Sequence, residues 1–268
     1  MPRDLTQEDR PPTLTESPNS VSDSNPQDDL AEPENFGTSF VMIPPSQQQK
    51  ARESTNLHPY VRPLTINDLD SVVALENAAF PDPRERASKE KLAYRLSRCG
   101  ELCLGLFCTM LPDVESKAET LATGRPVESG RRNGAVSVLL AHVIAAKTSS
   151  LLVTDDSMDF PKDWATNTAA STVGHQEAGR TICLHSVGVL PSYQGRGLGR
   201  VILLSYMQQM NGAGIADRLA LIAHDHLTGY YEKYGFTNRG PSKAQFGGGG
   251  WNDLVFDLKT LEARAIYG

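Results

Sequence analysis

Cysteine is scarce in this sequence, and its four copies (Cys99, Cys103, Cys108 and Cys183) never fall at Cys-x-x-Cys spacing. That argues against a zinc ribbon or a disulfide framework, so no metal is expected. Three of the four lie in or beside apolar segments and read as reduced, structural thiols in a cytoplasmic compartment. No apolar run approaches the ~20 residues that cross a bilayer. Met1 to Leu30 lacks the apolar core of a secretory leader, so neither membrane insertion nor export is expected. Excess positive charge is missing as well. Residues 1–56 hold ten acidic and four basic side chains, a balance of −6 equal to the −6 of the whole chain, which leaves residues 57–268 formally neutral. A neutral folded part has no general electrostatic footprint for nucleic acid.

What is present divides unevenly. Residues 1–56 are rich in Pro, Ser, Asp, Glu and Gln and bury too little apolar surface to offset ordering entropy, so a disordered acidic tail is predicted. Order is expected over 57–260, with flexible loops near 112–133 and 159–179 and a short tail at 261–268. Strands are predicted at 60–64, 101–108, 135–146, 182–189, 218–223 and 251–258. Helices are predicted from Thr65, over 88–98, within 151–158, over 198–210 and over 226–234. Strands first mostly antiparallel, then a strand-helix-strand-helix unit, imply an α/β layered domain with a mixed sheet flanked by helices.

One stretch carries chemistry: Gln194-Gly195-Arg196-Gly197-Leu198-Gly199, where the apolar strand ending at Val189 turns into the helix from Leu198. Three of its six residues have no β-carbon, so backbone can approach a diphosphate. The helix start behind them offers unpaired N–H donors and partial positive charge. A P-loop is excluded, because Arg200-Val201 stands where Lys-Ser/Thr is needed. A dinucleotide fingerprint belongs in an N-terminal βαβ unit, and this element lies late in the chain. A tight turn joining two core elements is the competing reading.

Gln194, Gly197 and Gly199 also follow the order by which GNAT acetyltransferases hold the pyrophosphate of acetyl-CoA. The resemblance sharpens toward the arylalkylamine N-acetyltransferases, the group that includes serotonin N-acetyltransferase and fungal polyamine relatives. Four segments carry it: Leu75-Glu76-Asn77-Ala78-Ala79-Phe80, Gly100-Glu101-Leu102-Cys103-Leu104-Gly105-Leu106-Phe107, Leu184-His185-Ser186-Val187-Gly188-Val189 and Leu227-Thr228-Gly229-Tyr230-Tyr231-Glu232-Lys233-Tyr234-Gly235-Phe236. Together they span roughly His58 to Leu258. The resemblance implies a GNAT fold and a cytoplasmic monomer. Its implied activity is acetyl-CoA-dependent acetyl transfer to a small primary amine, an arylalkylamine or a polyamine, without an acyl-enzyme. Rival readings are a protein lysine or N-terminal acetyltransferase, and a catalytically idle acetyl-CoA-binding module.

An aliphatic ammonium is ~3 pH units from reactive at pH 7, a cost of about 4 kcal/mol, so a positioned base is useful. By the resemblance Tyr231 is the acid for the departing thiolate, although it shares a helical face with Leu227, Tyr230 and Tyr234 as core aromatics do. By the resemblance His185 is the residue that relays the amine proton, matching the second of two alternating histidines in the vertebrate enzymes, with a structural strand histidine as the competing reading. Cys183 stands at the first, where a thiol of ordinary pKa is no base at neutral pH. Both are predicted to point to one face of the strand. Glu76 sits in the apolar stripe of its helix, where desolvation is expected to raise its pKa and make it a better base; a helix-end carboxylate reaching solvent or capping a neighbour is the alternative. Val187, Gly188 and Val189 would line the pantetheine arm, and Gly195, Arg196, Gly197, Leu198, Gly199 and Arg200 the pyrophosphate. Phe80, Pro81 and Ile222 match or neighbour the acceptor pocket, and Asp82 would either attract a cationic amine or serve its turn.

Overall fold

Eight strands form one mixed sheet in the computed structural model, which describes residues 58–111, 118–127, 134–167 and 169–259. The predicted acidic tail, the C-terminal tail at 261–268, and residues 112–117 and 128–133 of the first long loop lie outside the described residues. The strands are β1 (Tyr60–Pro63), β2 (Leu104–Met110), β3 (Arg125–Pro126), β4 (Val136–Thr148), β5 (Thr181–Val189), β6 (Arg218–Ala223), β7 (Thr237–Pro241) and β8 (Asn252–Asp257). Their spatial order is β1-β2-β4-β5-β6-β8-β7, with β3 paired to β4 off that path. All pairings are antiparallel except β5 with β6. The helices are α1 (Leu69–Ala79), α2 (Lys89–Arg98), α3 (Asp155–Met158), α4 (Leu198–Ala213) and α5 (Asp225–Glu232). This is the layered α/β architecture expected from the element order.

The core follows from β4. Every residue from Val138 to Thr148 is buried, so both faces of that strand are covered, as its unbroken apolar run requires. Helices α1 and α4 both pack on it. Helix α1 is entered through a short 3-10 turn, Ile66–Asp68. Thr65 is the N-cap of that turn and forms a capping box with Asp68, whose carboxylate accepts from the Thr65 N–H and Oγ1 at 2.9 and 3.0 Å. Arg62 grips the same carboxylate with two hydrogen bonds of 2.7 and 2.8 Å, which fixes β1 to the helix start. Ser88 caps α2, accepting from the Lys91 N–H at 3.2 Å.

The 159–179 segment is tied to α2. Tyr94 Oη accepts from the His175 N–H at 2.9 Å, and Arg98 donates to the carbonyls of Trp164 and Asn167. Two strands escaped the sequence reading, β3 and β7. Strand β7 is a mostly exposed Thr-Asn-Arg-Gly-Pro run at the sheet edge, without the alternation that marks a half-buried strand.

The functional geometry comes from a split in the sheet. Parallel pairing of β5 with β6 stops at Cys183↔Ala220, yet β5 continues to Val189 and β6 to Ala223. Beyond that point their facing edges separate and line a common cleft of about 590 Å³. The β4–β5 ladder also shifts register between Ile144 and Ala145, so that Ser186 pairs with Ile144 and Leu184 with Ala145, leaving His185 as the extra residue of a bulge. Bulges re-aim side chains next to functional sites.

Candidate active site

Around the bulge, β5 sends its side chains in two directions. Cys183 is hydrogen-bonded to Ser157 of α3, and His185 Nδ1 lies 3.0 Å from Met158 Sδ of the same helix, so the predicted common face of Cys183 and His185 is present. The extra residue then turns Ser186 toward α1. Its Oγ donates to Glu76 Oε2 at 2.7 Å. Glu76 Oε1 accepts from the Ala87 N–H at 2.9 Å, and His142 Nε2 of β4 lies 3.2 Å from Oε2 and 2.9 Å from Ser186 Oγ. Gly188 makes this cluster possible, because a β-carbon there would lie 2.7 Å from Leu75 Cδ2 and 3.1 Å from His142 Nε2.

Glu76 is 2% exposed, as its place in the apolar stripe predicts. Its acidity runs against expectation. Burial alone pushes its pKa up, but the His142 and Ser186 hydrogen bonds and the Ala87 N–H together outweigh burial and hold the carboxyl below the usual glutamate value. It is an ionised, anchored carboxylate, and its backbone hydrogen bond also fixes the loop after α1. Sequence reasoning missed both partners. The signals were a lone histidine in the Leu/Val/Ala run of β4 and a serine in the apolar β5.

His185 lines the cleft, but its Nε2 is sealed from solvent and has no hydrogen-bond partner among the described residues. Burial, then the nearby Arg95 and Lys91 charges, hold its pKa well below the ordinary histidine value, so the ring is neutral at pH 7. Burial pushes the Cys183 thiol up to about 12, which removes it as a base. Arg95 of α2 is itself fully enclosed and donates to the Met158 carbonyl at 2.9 Å, holding the residue that covers His185.

Tyr231 of α5 lines the same cleft. Burial, then the neighbouring Tyr230, raises its pKa well above an ordinary phenol's, so it keeps its proton at pH 7. Phe236 and Tyr230 pack edge-on against its ring at 5.7 and 5.2 Å. The two readings of this tyrosine, core aromatic and site residue, describe the same side chain.

The glycine turn has divided labour. Gly195 and Gly197 adopt φ of +74° and +80°, where other residues are strained, and a β-carbon on either would meet nothing within 4 Å. Gly199 instead allows close packing, since its β-carbon would come 3.1 Å from Tyr230 Oη. Gln194 Nε2 donates to the Val189 carbonyl at 3.1 Å and ties the turn to the end of β5. Gly197 caps α4 without a side chain, and no acid occupies the first turn. Leu198 is buried, so it can offer only its backbone, whereas Arg200 is exposed and Arg196 lies over the Tyr193 ring at 5.0 Å. The first helical N–H groups of Leu198, Gly199 and Arg200 have no intrahelical acceptor and face this turn. That set of donors fits a diphosphate.

Val187, Gly188, Val189 and Gln194 line the cleft, and so do Phe80, Pro81 and Ile222. Asp82 lines it too, but Arg84 grips both carboxylate oxygens at 3.2, 3.1 and 2.7 Å and its pKa is pushed down to about 2, so the turn reading holds. Among the described residues, no group of three His, Cys, Asp or Glu side chains is placed to hold a metal ion, and no helix is long and apolar enough to cross a membrane.

Residues 154–248, which include β5, the glycine turn, α4, β6 and α5, match the Acetyltransferase (GNAT) domain family. The fold is the GNAT fold, and the family model matches that segment of it. GNAT acetyltransferases are acyltransferases that use acetyl-CoA. The domain is 25% identical over 200 residues to serotonin N-acetyltransferase of Mesocricetus auratus, covering 74% of this chain and 77% of that one. Solved structures similar to it include the loading GNATL domain of CurA from Lyngbya majuscula (13% identity, TM-score 0.49, 75% of this chain and 98% of that one). Another is the GphF GNAT-like decarboxylase in complex with isobutyryl-CoA (14% identity, TM-score 0.49, 75% and 100%).

Proposed function

We propose that this GNAT domain transfers acetyl from acetyl-CoA to a small primary amine, an arylalkylamine or a polyamine, by direct attack. The observation that carries the reading is a cleft between the separated ends of β5 and β6. It is lined by Tyr231, whose phenol keeps its proton, and by Ser186, whose hydroxyl is hydrogen-bonded to an ionised carboxylate behind the wall. The residues present fit the co-substrate. The open Gly195 and Gly197 positions and the uncapped start of α4 suit its pyrophosphate, and the unpaired β5 edge from Leu184 to Val189 suits its amide-bearing arm. Bound there, acetyl-CoA would supply an activated acetyl thioester.

The chain's own groups then have distinct tasks. Ser186 Oγ can accept a proton from the amine while passing its own to Glu76 Oε2, only 2.7 Å away. Such a relay becomes favourable as the nitrogen forms its new bond, because that bonding makes the nitrogen's proton far more acidic. His142 beside Oε2 and the Ala87 N–H hold the carboxylate in place and offset its burial. Tyr231 keeps its proton and can deliver it to the departing thiolate. His185, neutral and covered by Met158, shapes the wall rather than leading the proton route.

Thiol release from acetyl-CoA by the purified full chain tests this reading, with tryptamine, serotonin, phenylethylamine, spermidine and a histone peptide as acceptors. Turnover with a small amine supports it. Turnover with the peptide alone, or with none of the acceptors, overturns it.

A further inference from the structure

At the end of the cleft where β6 meets α5, Glu85 lies beside the cap residue of the helix. Its Oε1 is 3.0 Å from His224 Nε2, and His224 stacks on Trp251 with ring centroids 3.9 Å apart. Glu85 Oε2 has no hydrogen bond among the described residues, and the side chain is 24% exposed. The glycine loop before β8 closes over it, since a β-carbon on Gly247 would sit 3.1 Å from Glu85 Cγ. Of the charged side chains lining the cleft, both are carboxylates and none is lysine or arginine. Arg84 is hydrogen-bonded to Asp82 and acts on Glu85 only through its charge, so Glu85 is the carboxylate with an oxygen left to meet a cation.

A reacting amine must be neutral to attack, so a fixed carboxylate at the reacting atom would hinder it. Glu85 is placed elsewhere. It joins His224 at the start of α5, and Tyr231 lies seven residues further on, ~10 Å along the helix axis. We infer that Glu85, held by His224, determines acceptor specificity by binding a second, non-reacting ammonium, so that the site favours diamines over monoamines of the same length. This rests on the amine acetyltransferase reading above. A charge-assisted hydrogen bond in a partly enclosed cleft discriminates strongly against a partner that lacks the charge.

The test compares pentane-1,5-diamine, pentylamine and phenylethylamine as acceptors for the full chain, as wild type, Glu85→Gln and Glu85→Asp. The expected wild-type kcat/KM ratio of diamine to pentylamine is about tenfold or more, carried by KM. E85Q is expected to bring that ratio close to one, and E85D, which keeps the charge, to retain most of it. A merely structural role for Glu85 would lower all acceptors together and leave the ratio unmoved, which overturns the inference. So does a wild type that prefers pentylamine or phenylethylamine, a result that needs no variant to fold. Absence of thiol release with every amine would instead remove the amine acetyltransferase reading itself, and this inference with it.

Discussion

Ser186 on the cleft wall donates a 2.7 Å hydrogen bond to Glu76, a carboxylate 110 positions earlier in the chain that is buried behind that wall. The pair connects the cleft to a base that solvent cannot reach. Ser186→Ala should cut this connection while leaving the cleft open, lowering kcat by about 10²-fold or more. Glu76→Gln keeps an oxygen for the Ala87 N–H but loses the charge, and should do the same. Steady-state rates with the best amine check both, and a loss confined to KM would argue against the relay.

Tyr231→Phe removes one hydroxyl from a ring held by Tyr230 and Phe236, so the fold should survive. Turnover should fall by roughly 10²-fold, and calorimetric affinity for coenzyme A should stay within about twofold. An idle binding module would have no turnover to lose, so the kinetic and binding measurements together separate the two roles.

Glu76 also makes stability depend on pH. Its folded-state pKa is lowered relative to the ordinary value of 4.5, so the stabilisation is fully present above that value and is lost as pH falls through the lower folded value. The gap in thermal midpoint between wild type and Glu76→Gln should therefore be constant at neutral pH and shrink below about pH 4.5. A gap that instead grew on acidification would mean the carboxyl is protonated in the folded state.

Much of the architecture is legible in the sequence. The strands β5 and β6, the α4 helix and the turn between them are marked by apolar periodicity and by glycines at positions that need positive φ or close approach. The burial of Glu76 was legible from its place among Leu69, Val72, Val73 and Ala79. Its acidity was not, because that depends on His142 and Ser186, which come from strands distant in sequence and meet it only through packing. The single-residue bulge at His185 was equally hidden, since it is set by pairing with β4 rather than by local composition. Glu85 carries no signal of its own in the sequence for the same reason: its partners His224 and Gly247 lie in the last third of the chain.

His185 should be silent near neutrality. Its ring nitrogens are covered, Nδ1 by Met158 Sδ and Nε2 by the wall, so its proton NMR shifts should stay those of a neutral imidazole as pH falls through the ordinary histidine value of 6.5. The rate profile should accordingly show no limb belonging to this residue near the ordinary histidine pKa. His185→Gln should lower kcat less than either Ser186→Ala or Glu76→Gln. A larger loss for His185→Gln, with a titration near pH 6.5, would transfer the base role to the histidine.

Coenzyme A affinity tests the turn at the start of α4. Gly197 holds a left-handed conformation with open space where a side chain would stand, so Gly197→Val meets no steric barrier from the protein itself. Its cost to folding comes from the backbone, on the order of 1–2 kcal/mol. Its cost to binding comes from a branched side chain in the space the diphosphate needs. Gly199→Val has a different origin, because its β-carbon would come 3.1 Å from Tyr230 Oη and push α5, with Tyr231, out of place. The first variant should weaken coenzyme A binding by about tenfold or more; the second should lower kcat as well. Calorimetry with coenzyme A and steady-state rates on both variants would show the split, and unchanged affinity in Gly197→Val would place the diphosphate elsewhere.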